Sequence, residues 1–338
     1  MTNDDSALAV PQPAVPSHQN GRVAGRFAPS PTGDLHVGNL RTALGAMLLA
    51  RSGGRRFLLR VEDLDHVAAS KDYETRQLDD LARIGVRGDE APVRQSDRLD
   101  RHLEVVAELR GRDLLYPCYC TRREIREEIE AAASAPNGPA PPDAYPGTCR
   151  HLTREERSRL ERKGRRPAWR LRADDEQISF VDGIAGERTG RVDDFVVVRA
   201  DGVPAYQLAV VIDDADAGID QVARGDDLIP STWRQIRLHQ LLGLDSPEYW
   251  HLPLVVAADG RRLAKRDGAI SLRDIVSAEV AVEQVVAVLL MSLGIEADSV
   301  VGGDPSAPGW SSAQAQRFDP SSLGSDPVVI DDLRALWG

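Results

Sequence analysis

Dense apolar runs alternate with polar, Gly- and Pro-rich stretches along the chain. A β-like stretch opens at Arg22 and leads into Arg26-Phe27-Ala28-Pro29-Ser30-Pro31-Thr32-Gly33, where two prolines and a glycine predict a shaped turn. Leu40 to Arg51, rich in Ala, Leu and Met, predicts a helix that stops at Gly53-Gly54. Phe57 to Val61 then reads as a buried strand. Strand, loop, helix and strand within about 40 residues make a βαβ unit, which implies a parallel sheet. Leu99, Leu103, Val106 and Leu109 recur at helical spacing and predict a further helix. Strands are expected around Ala168 to Leu171, Phe195 to Arg199 and Leu208 to Ile212, and one strongly apolar helix over Val276 to Leu293. The polar stretches complete the outline. Residues 1–22 read as a disordered tail, and 116–150 as an insertion holding the Pro-rich run Ala135 to Pro142. Val301 to Asp326 is low in complexity, ahead of a short amphipathic end from Val328 to Trp337.

Length and composition narrow the class. The 338 residues suit two or three packed domains, and 42% hydrophobic against 28% charged residues implies a folded core. No apolar run approaches the ~20 residues of a membrane span. The start, Met1 to Gly21, lacks a charged region leading into an apolar one, so a soluble cytoplasmic protein is expected. The net charge of −11 argues against indiscriminate coating of nucleic acid or anionic membrane, while leaving room for a local basic face that docks one RNA. Of the 42 basic residues only Lys71, Lys163 and Lys265 are lysine, so a lysine kept inside a motif is more informative than another arginine. Three cysteines, Cys118, Cys120 and Cys149, in odd number and partly in C-x-C spacing, argue against a disulfide framework and for a metal. Thiolate ligands favour zinc, and His151 is the conventional choice for a fourth ligand.

Chemistry concentrates in Pro29-Ser-Pro-Thr-Gly33-Asp34-Leu35-His36-Val37-Gly38-Asn39. A histidine, and a glycine two residues on, open a helix after the first strand. The free N–H groups and positive end of such a helix attract phosphate, the glycine admits a nucleotide close to the backbone, and an imidazole can hydrogen-bond the phosphates. From Arg26 to Leu44 the chain resembles the signature of the class I glutamyl-tRNA synthetases, with His36 to Asn39 in the place of the family's HIGH element. The second half carries the companion: His251-Leu-Pro-Leu254 precedes Arg262-Leu-Ala-Lys265-Arg266, which resembles K-L-S-K-R with Arg262 for Lys and Ala264 for Ser.

The resemblance implies a Rossmann-like α/β catalytic domain on a parallel sheet, split between 23–115 and 196–275. It also implies an inserted zinc-containing, acceptor-type subdomain over 116–195 and a short helical extension with a low-complexity tail over 276–338. His36, Gly38, Asn39, Lys265 and Arg266 are implied as catalytic, with His36, Gly38 and Lys265 on ATP and its Mg²⁺. Arg26, Phe27, Ala28, Pro29, Ser30, Glu62, Tyr206 and Arg224 are implied as the glutamate site. Cationic forks for carboxylates and an anion for the ammonium make chemical sense of that set. Asp65-His66-Val67 departs from the family's Asp-Pro pattern, which bears on the loop after Glu62. For the metal, Tyr145-Pro-Gly-Thr-Cys149 matches a Y-x₃-C pattern of a shortened branch of the family, so Tyr145 joins Cys118, Cys120 and Cys149, with His151 the alternative.

Roughly 70 residues follow Arg266, short of the 100 or more of an anticodon-binding domain. Together with Val222-Ala-Arg224-Gly-Asp-Asp-Leu228 and Ser231-Thr-Trp-Arg-Gln235, this resembles the shortened branch. That likeness implies a monomer that adenylates L-glutamate without tRNA and esterifies it onto queuosine in the anticodon loop of tRNA(Asp). A truncated enzyme charging a tRNA 3′ end or another acceptor, and an inactive RNA-binding or regulatory paralogue, are the alternatives.

Overall fold

The computed structural model describes residues 23–133, 145–257, 260, 270–296 and 304–329. The expected disordered tail, the Pro-rich run, Lys265 and Arg266 therefore lie outside the described residues. The chain opens with β1 (Ala24–Phe27), α1 (Val37–Ser52) and β2 (Arg56–Val61), the βαβ unit read from the apolar pattern. Next come α2 (Lys71–Arg83), β3 (Val93–Arg94), α3 (Leu99–Gly111), β4 (Leu115–Cys118), α4 (Arg122–Ala133) and α5 (Arg154–Arg162). Strands β5 (Ala168–Leu171), β6 (Glu176–Asp182), β7 (Gly186–Val192) and β8 (Val196–Val198) precede α6 (Tyr206–Ala217), β9 (Ile219–Gly225) and α7 (Ile229–Leu242). Strands β10 (Glu248–Leu252) and β11 (Val255–Val256), helices α8 (Leu272–Ser277), α9 (Val282–Ser292) and α10 (Trp310–Ala315), and β12 (Val328–Val329) close the order.

The main sheet runs β3-β2-β1-β9-β10-β6-β7, parallel except for the antiparallel β6–β7 hairpin at its edge. From β1 the chain builds outward on one side through β2 and β3, and returns on the other through β9 and β10. The junction of β1 and β9 is thus the topological switch point, where open α/β sheets leave a crevice at the carboxyl ends of their strands. Apolar clusters cover both faces. One packs α1 with α9, Trp310 and Phe318, and the other packs α3 and α6 against β9 and β10. A smaller sheet, β4-β5-β8, carries the cysteine region.

Several expectations change. The apolar run Leu208 to Ile212 is a helix, not a strand. A five-residue apolar run has no period of its own, and burial on every side, followed by a left-handed Gly218 cap, settles it as helix. On α3 the buried face is His102, Val105, Val106 and Leu109, while Leu103 is exposed; a buried histidine replaces the leucine of the expected stripe. The single helix over Val276 to Leu293 is two, α8 and α9, because Glu279 takes a left-handed φ of 65° between them. The low-complexity stretch contributes a buried Trp310, Ala315 and Phe318 to the core, and Val328–Val329 returns as a strand beside β11. The hairpin β6–β7, inside the expected insertion, extends the main sheet, whereas β8, beyond it, completes the small one. No helix among the described residues is long and apolar enough to cross a membrane.

Candidate active site

At the switch point lies a cleft of about 490 Å³. The end of β1 supplies Arg26 and Phe27, and the turn after it Ala28, Pro29 and Ser30, to one wall. This turn is fixed from outside: Gln77 Nε2 donates to Ser30 O at 3.0 Å and Gly33 O at 2.7 Å, and Glu62 N donates to Pro29 O at 3.0 Å. Glu62, at the carboxyl end of β2, Tyr206, opening α6, and Arg224, near the end of β9, reach the same space.

His36, Gly38 and Asn39 line the cleft at the start of α1. His36 is the N-cap, and its Nδ1 accepts from Gly38 N at 3.1 Å, which leaves the proton of the neutral ring on Nε2. Asn39 Oδ1 in turn accepts from His36 N at 3.2 Å, closing a capping box. A Cβ on Gly38 would meet the His36 ring at 3.0 Å, a contact tight enough that the imidazole folded over the glycine would have to shift. Lys265 and Arg266 lie outside the described residues, but their flanks are placed. Val255 lines the cleft, Val37 N donates to Ile270 O at 2.9 Å, and a single bridge joins His36 to Ser271.

The charges of the cleft fall into two kinds. Arg26 donates from Nε and Nη2 to Asp214 at 3.2 and 3.1 Å, and Arg60 pairs with Asp214 and with Glu62. These four buried charges compensate one another. Burial raises the Glu62 carboxyl pKa against the opposing pull of Arg60 and Arg26. Arg224, 5% exposed, differs. Its guanidinium donates to His251 Nε2 at 3.1 Å, Gln235 Oε1 at 2.8 Å and Thr232 Oγ1 at 2.7 Å, with Leu228 O at 3.5 Å. All of these acceptors are neutral, and among the described residues no carboxylate pairs with this buried cation. A site built to receive a carboxylate has this form. Asp214, Thr232, Gln235 and His251 were not legible as site residues from sequence, although Thr232, Gln235 and His251 fall within the sequence motifs.

The family described as tRNA synthetases class I (E and Q), catalytic domain, matches residues 22–300. The glutamyl-Q tRNA(Asp) synthetase of Nocardia farcinica is 51% identical over 309 residues, 91% of this chain and 93% of that protein. That of Symbiobacterium thermophilum is 46% identical over 330 residues, 94% and 99% of the two chains. The chain belongs to the glutamyl-Q tRNA(Asp) synthetases of the class I synthetase family. Among solved structures, the glutamate tRNA ligase of Elizabethkingia meningosepticum, in complex with its amino acid, superposes with a TM-score of 0.75 at 27% identity, covering 93% of this chain and 68% of that one.

In this synthetase the cysteines converge on the smaller sheet. The sulfurs of Cys118, Cys120 and Cys149 lie within 4.8 Å of one another, Cys120 and Cys149 at 3.4 Å. Tyr145 Oη is 3.3 Å from Cys118 Sγ and 3.7 Å from Cys120 Sγ, whereas His151 is exposed and is not grouped with the thiols. Tetrahedral zinc with Zn–S near 2.3 Å sets its sulfurs about 3.8 Å apart, so the donor set fits that ion. Tyr119 N also donates to Cys149 Sγ at 3.4 Å, the kind of backbone contact that supports a thiolate. Hydrogen bonds from Cys120 and Cys149 push the Cys118 thiol pKa down, and the same crowding pushes Cys120 up. A second cleft of about 710 Å³ starts at Cys118 and Cys120 and shares Ser30, Glu62 and Tyr206 with the first.

Proposed function

We propose that this protein joins L-glutamate to ATP as glutamyl-adenylate, without needing tRNA, and passes the glutamyl group to queuosine in tRNA(Asp). The buried, uncompensated Arg224 carries the reading, because its charge lacks only a substrate carboxylate. Glutamate lies between Arg26, Ser30, Tyr206 and Arg224, with Glu62 taking the ammonium. Its α-carboxylate oxygen attacks the α-phosphorus, and the bond to the bridging oxygen breaks as pyrophosphate leaves. Positioning and charge neutralisation supply most of the rate. The start of α1, with Nε2–H of His36 and the backbone at Gly38, faces the phosphates, and ATP arrives as its Mg²⁺ complex. Lys265, with Arg266, stabilises the leaving pyrophosphate. A hydroxyl of the queuosine cyclopentenediol then attacks the anhydride carbonyl, AMP departs, and the second cleft is the acceptor's approach.

Purified protein should catalyse glutamate-dependent ATP–pyrophosphate exchange with no tRNA added, and should then label tRNA(Asp) only when queuosine is present. Equal labelling of queuosine-free tRNA would favour a 3′-end acceptor, and absence of exchange under all conditions would favour an inactive paralogue. Replacing Lys265 with Ala should lower exchange by orders of magnitude with glutamate binding little changed; unaltered turnover would remove the lysine from the mechanism.

Zinc held by Cys118, Cys120, Cys149 and Tyr145 serves a structural role in the same proposal, tying α4 and α5 to the small sheet. About one zinc per chain is expected by elemental analysis, falling sharply in C120S, with a lower melting temperature after chelation. A metal-free protein of unchanged melting temperature would count against the site.

A further inference from the structure

Arginines in the network beside Arg224 are held by carboxylates: Asp214 grips Arg26 and Arg60. A carboxylate on Arg224 would orient it equally well, but it would also neutralise the cation and repel an incoming anion. The chain uses a different arrangement. Arg224 Nε donates to His251 Nε2 at 3.1 Å, and the opposite nitrogen, His251 Nδ1, lies 2.6 Å from Asp182 Oδ2. Both Asp182 and His251 have fully buried side chains.

Asp182 sits where β6 turns into β7 and accepts from three backbone amides: Ile184 at 3.0 Å, Ala185 at 2.8 Å, and His251 at 3.2 Å. So held, the carboxylate fixes the ring proton on Nδ1 and leaves a lone pair on Nε2. Only that tautomer can accept from Arg224. The charged groups around His251 are Asp182 from the hairpin, Arg224 from β9 and Asp226 just beyond it, while Tyr249 stacks at 6.1 Å and Phe180 lies tilted at the same distance. Burial, reinforced by Arg224, lowers the imidazole pKa, which keeps the ring neutral despite Asp182.

We infer that Asp182 and His251 are positioning residues, which aim Arg224 at a substrate carboxylate while leaving its charge unneutralised. The neutral ring transmits orientation and holds the carboxylate of Asp182 one imidazole away. The inference rests on the proposed glutamate site and adds to it the means by which that site stays cationic. It also accounts for the hairpin, since an edge that lengthens the sheet past β10 delivers the acid that sets the tautomer.

The test uses ATP–pyrophosphate exchange by the full chain, with wild type first. If wild type exchanges without dependence on glutamate, the glutamate reading itself fails. Where glutamate dependence holds, Asp182→Asn is the near-isosteric probe. Its amide oxygen can still accept from the turn, but its NH₂ faces Nδ1 and drives the ring proton to Nε2, donor against donor. The KM for glutamate should rise about ten- to hundredfold, the effect of a lost hydrogen bond to a buried charge, with the KM for ATP unchanged and kcat altered much less. His251→Gln, whose amide oxygen can accept from Arg224, should stay within about fivefold of wild type, whereas His251→Leu should resemble D182N. If D182N does not fold, the two His251 variants decide alone. Equal glutamate KM in H251Q and H251L, or a matching rise in the KM for ATP, would overturn the assignment and leave the pair a packing role.

Discussion

Replacing Arg224 with glutamine should lower kcat/KM for glutamate in the exchange reaction by about a thousandfold while leaving the protein at least as stable as wild type. The first half follows from the charge. A buried arginine paired with the substrate's carboxylate contributes on the order of 3–5 kcal/mol when one partner is removed, and that is roughly two to nearly four decades of rate at saturating ATP. The second half follows from what Arg224 lacks. Its acceptors are His251, Gln235, Thr232 and Leu228 O, all neutral, so the free protein carries the desolvation cost of a buried cation without a counter-charge. Glutamine removes the charge and can keep a hydrogen bond to Thr232 or Gln235. Loss of activity combined with equal or higher urea resistance is therefore the expected pair of results. A variant that lost stability by several kcal/mol, or kept full activity, would mean that Arg224 is a structural cation after all.

What could be read from sequence divides by the range of the interactions. The βαβ unit and the motif around His36 were legible because their determinants are local: an apolar helix between two short strands, and a cap, a glycine and an amide within four residues. Arg26, Glu62 and Arg224 could be singled out only through resemblance, since nothing in their immediate neighbours sets them apart from the chain's many other charged residues. Their supports were out of reach altogether. Asp214 is 188 residues from Arg26, and Asp182 is 69 from His251. Each is an unremarkable acid in an acidic chain until the sheet order brings β1 beside β9, and β10 beside β6. The same lack of context misassigned Leu208 to Ile212. Its five apolar residues satisfy a strand and a buried helix alike, and only their burial on every side, with the left-handed cap at Gly218, shows that they form α6. The tail after Val301 misled in the opposite way: composition marked it as low in complexity, yet a few large side chains, led by Trp310, suffice to dock it on α1.

Removing the Asp214 carboxylate should cause the largest loss of stability of any single change near the cleft. Its two oxygens receive Arg26 through Nε and Nη2 and Arg60 through Nη1, and all three side chains are about 95% or more buried. With Glu62 they make two cations and two anions. In Asp214→Ala the balance becomes one net positive charge, shut away from water with two guanidinium groups facing a void. Breaking a buried pair in this way costs about 3–5 kcal/mol, a large part of the ~5–15 kcal/mol typical of a folded domain. The pH dependence gives an independent check. Burial alone would raise the Asp214 carboxyl pKa, but Arg26 and Arg60 overcome it and hold it at about 2. In an unfolded chain the group titrates near 3.9. Its native pKa is depressed, so its contribution is complete above pH ~4 and disappears as the pH falls towards 2, because the unfolded state takes up a proton that the folded state refuses. Urea unfolding at pH 7 should therefore show the full deficit in D214A, and the gap between variant and wild type should narrow on acidification through that window. A deficit below about 1 kcal/mol at pH 7 would place Asp214 among ordinary surface pairs. A deficit that stays constant down to pH 2 would attribute the loss to the void left by the side chain and not to its charge.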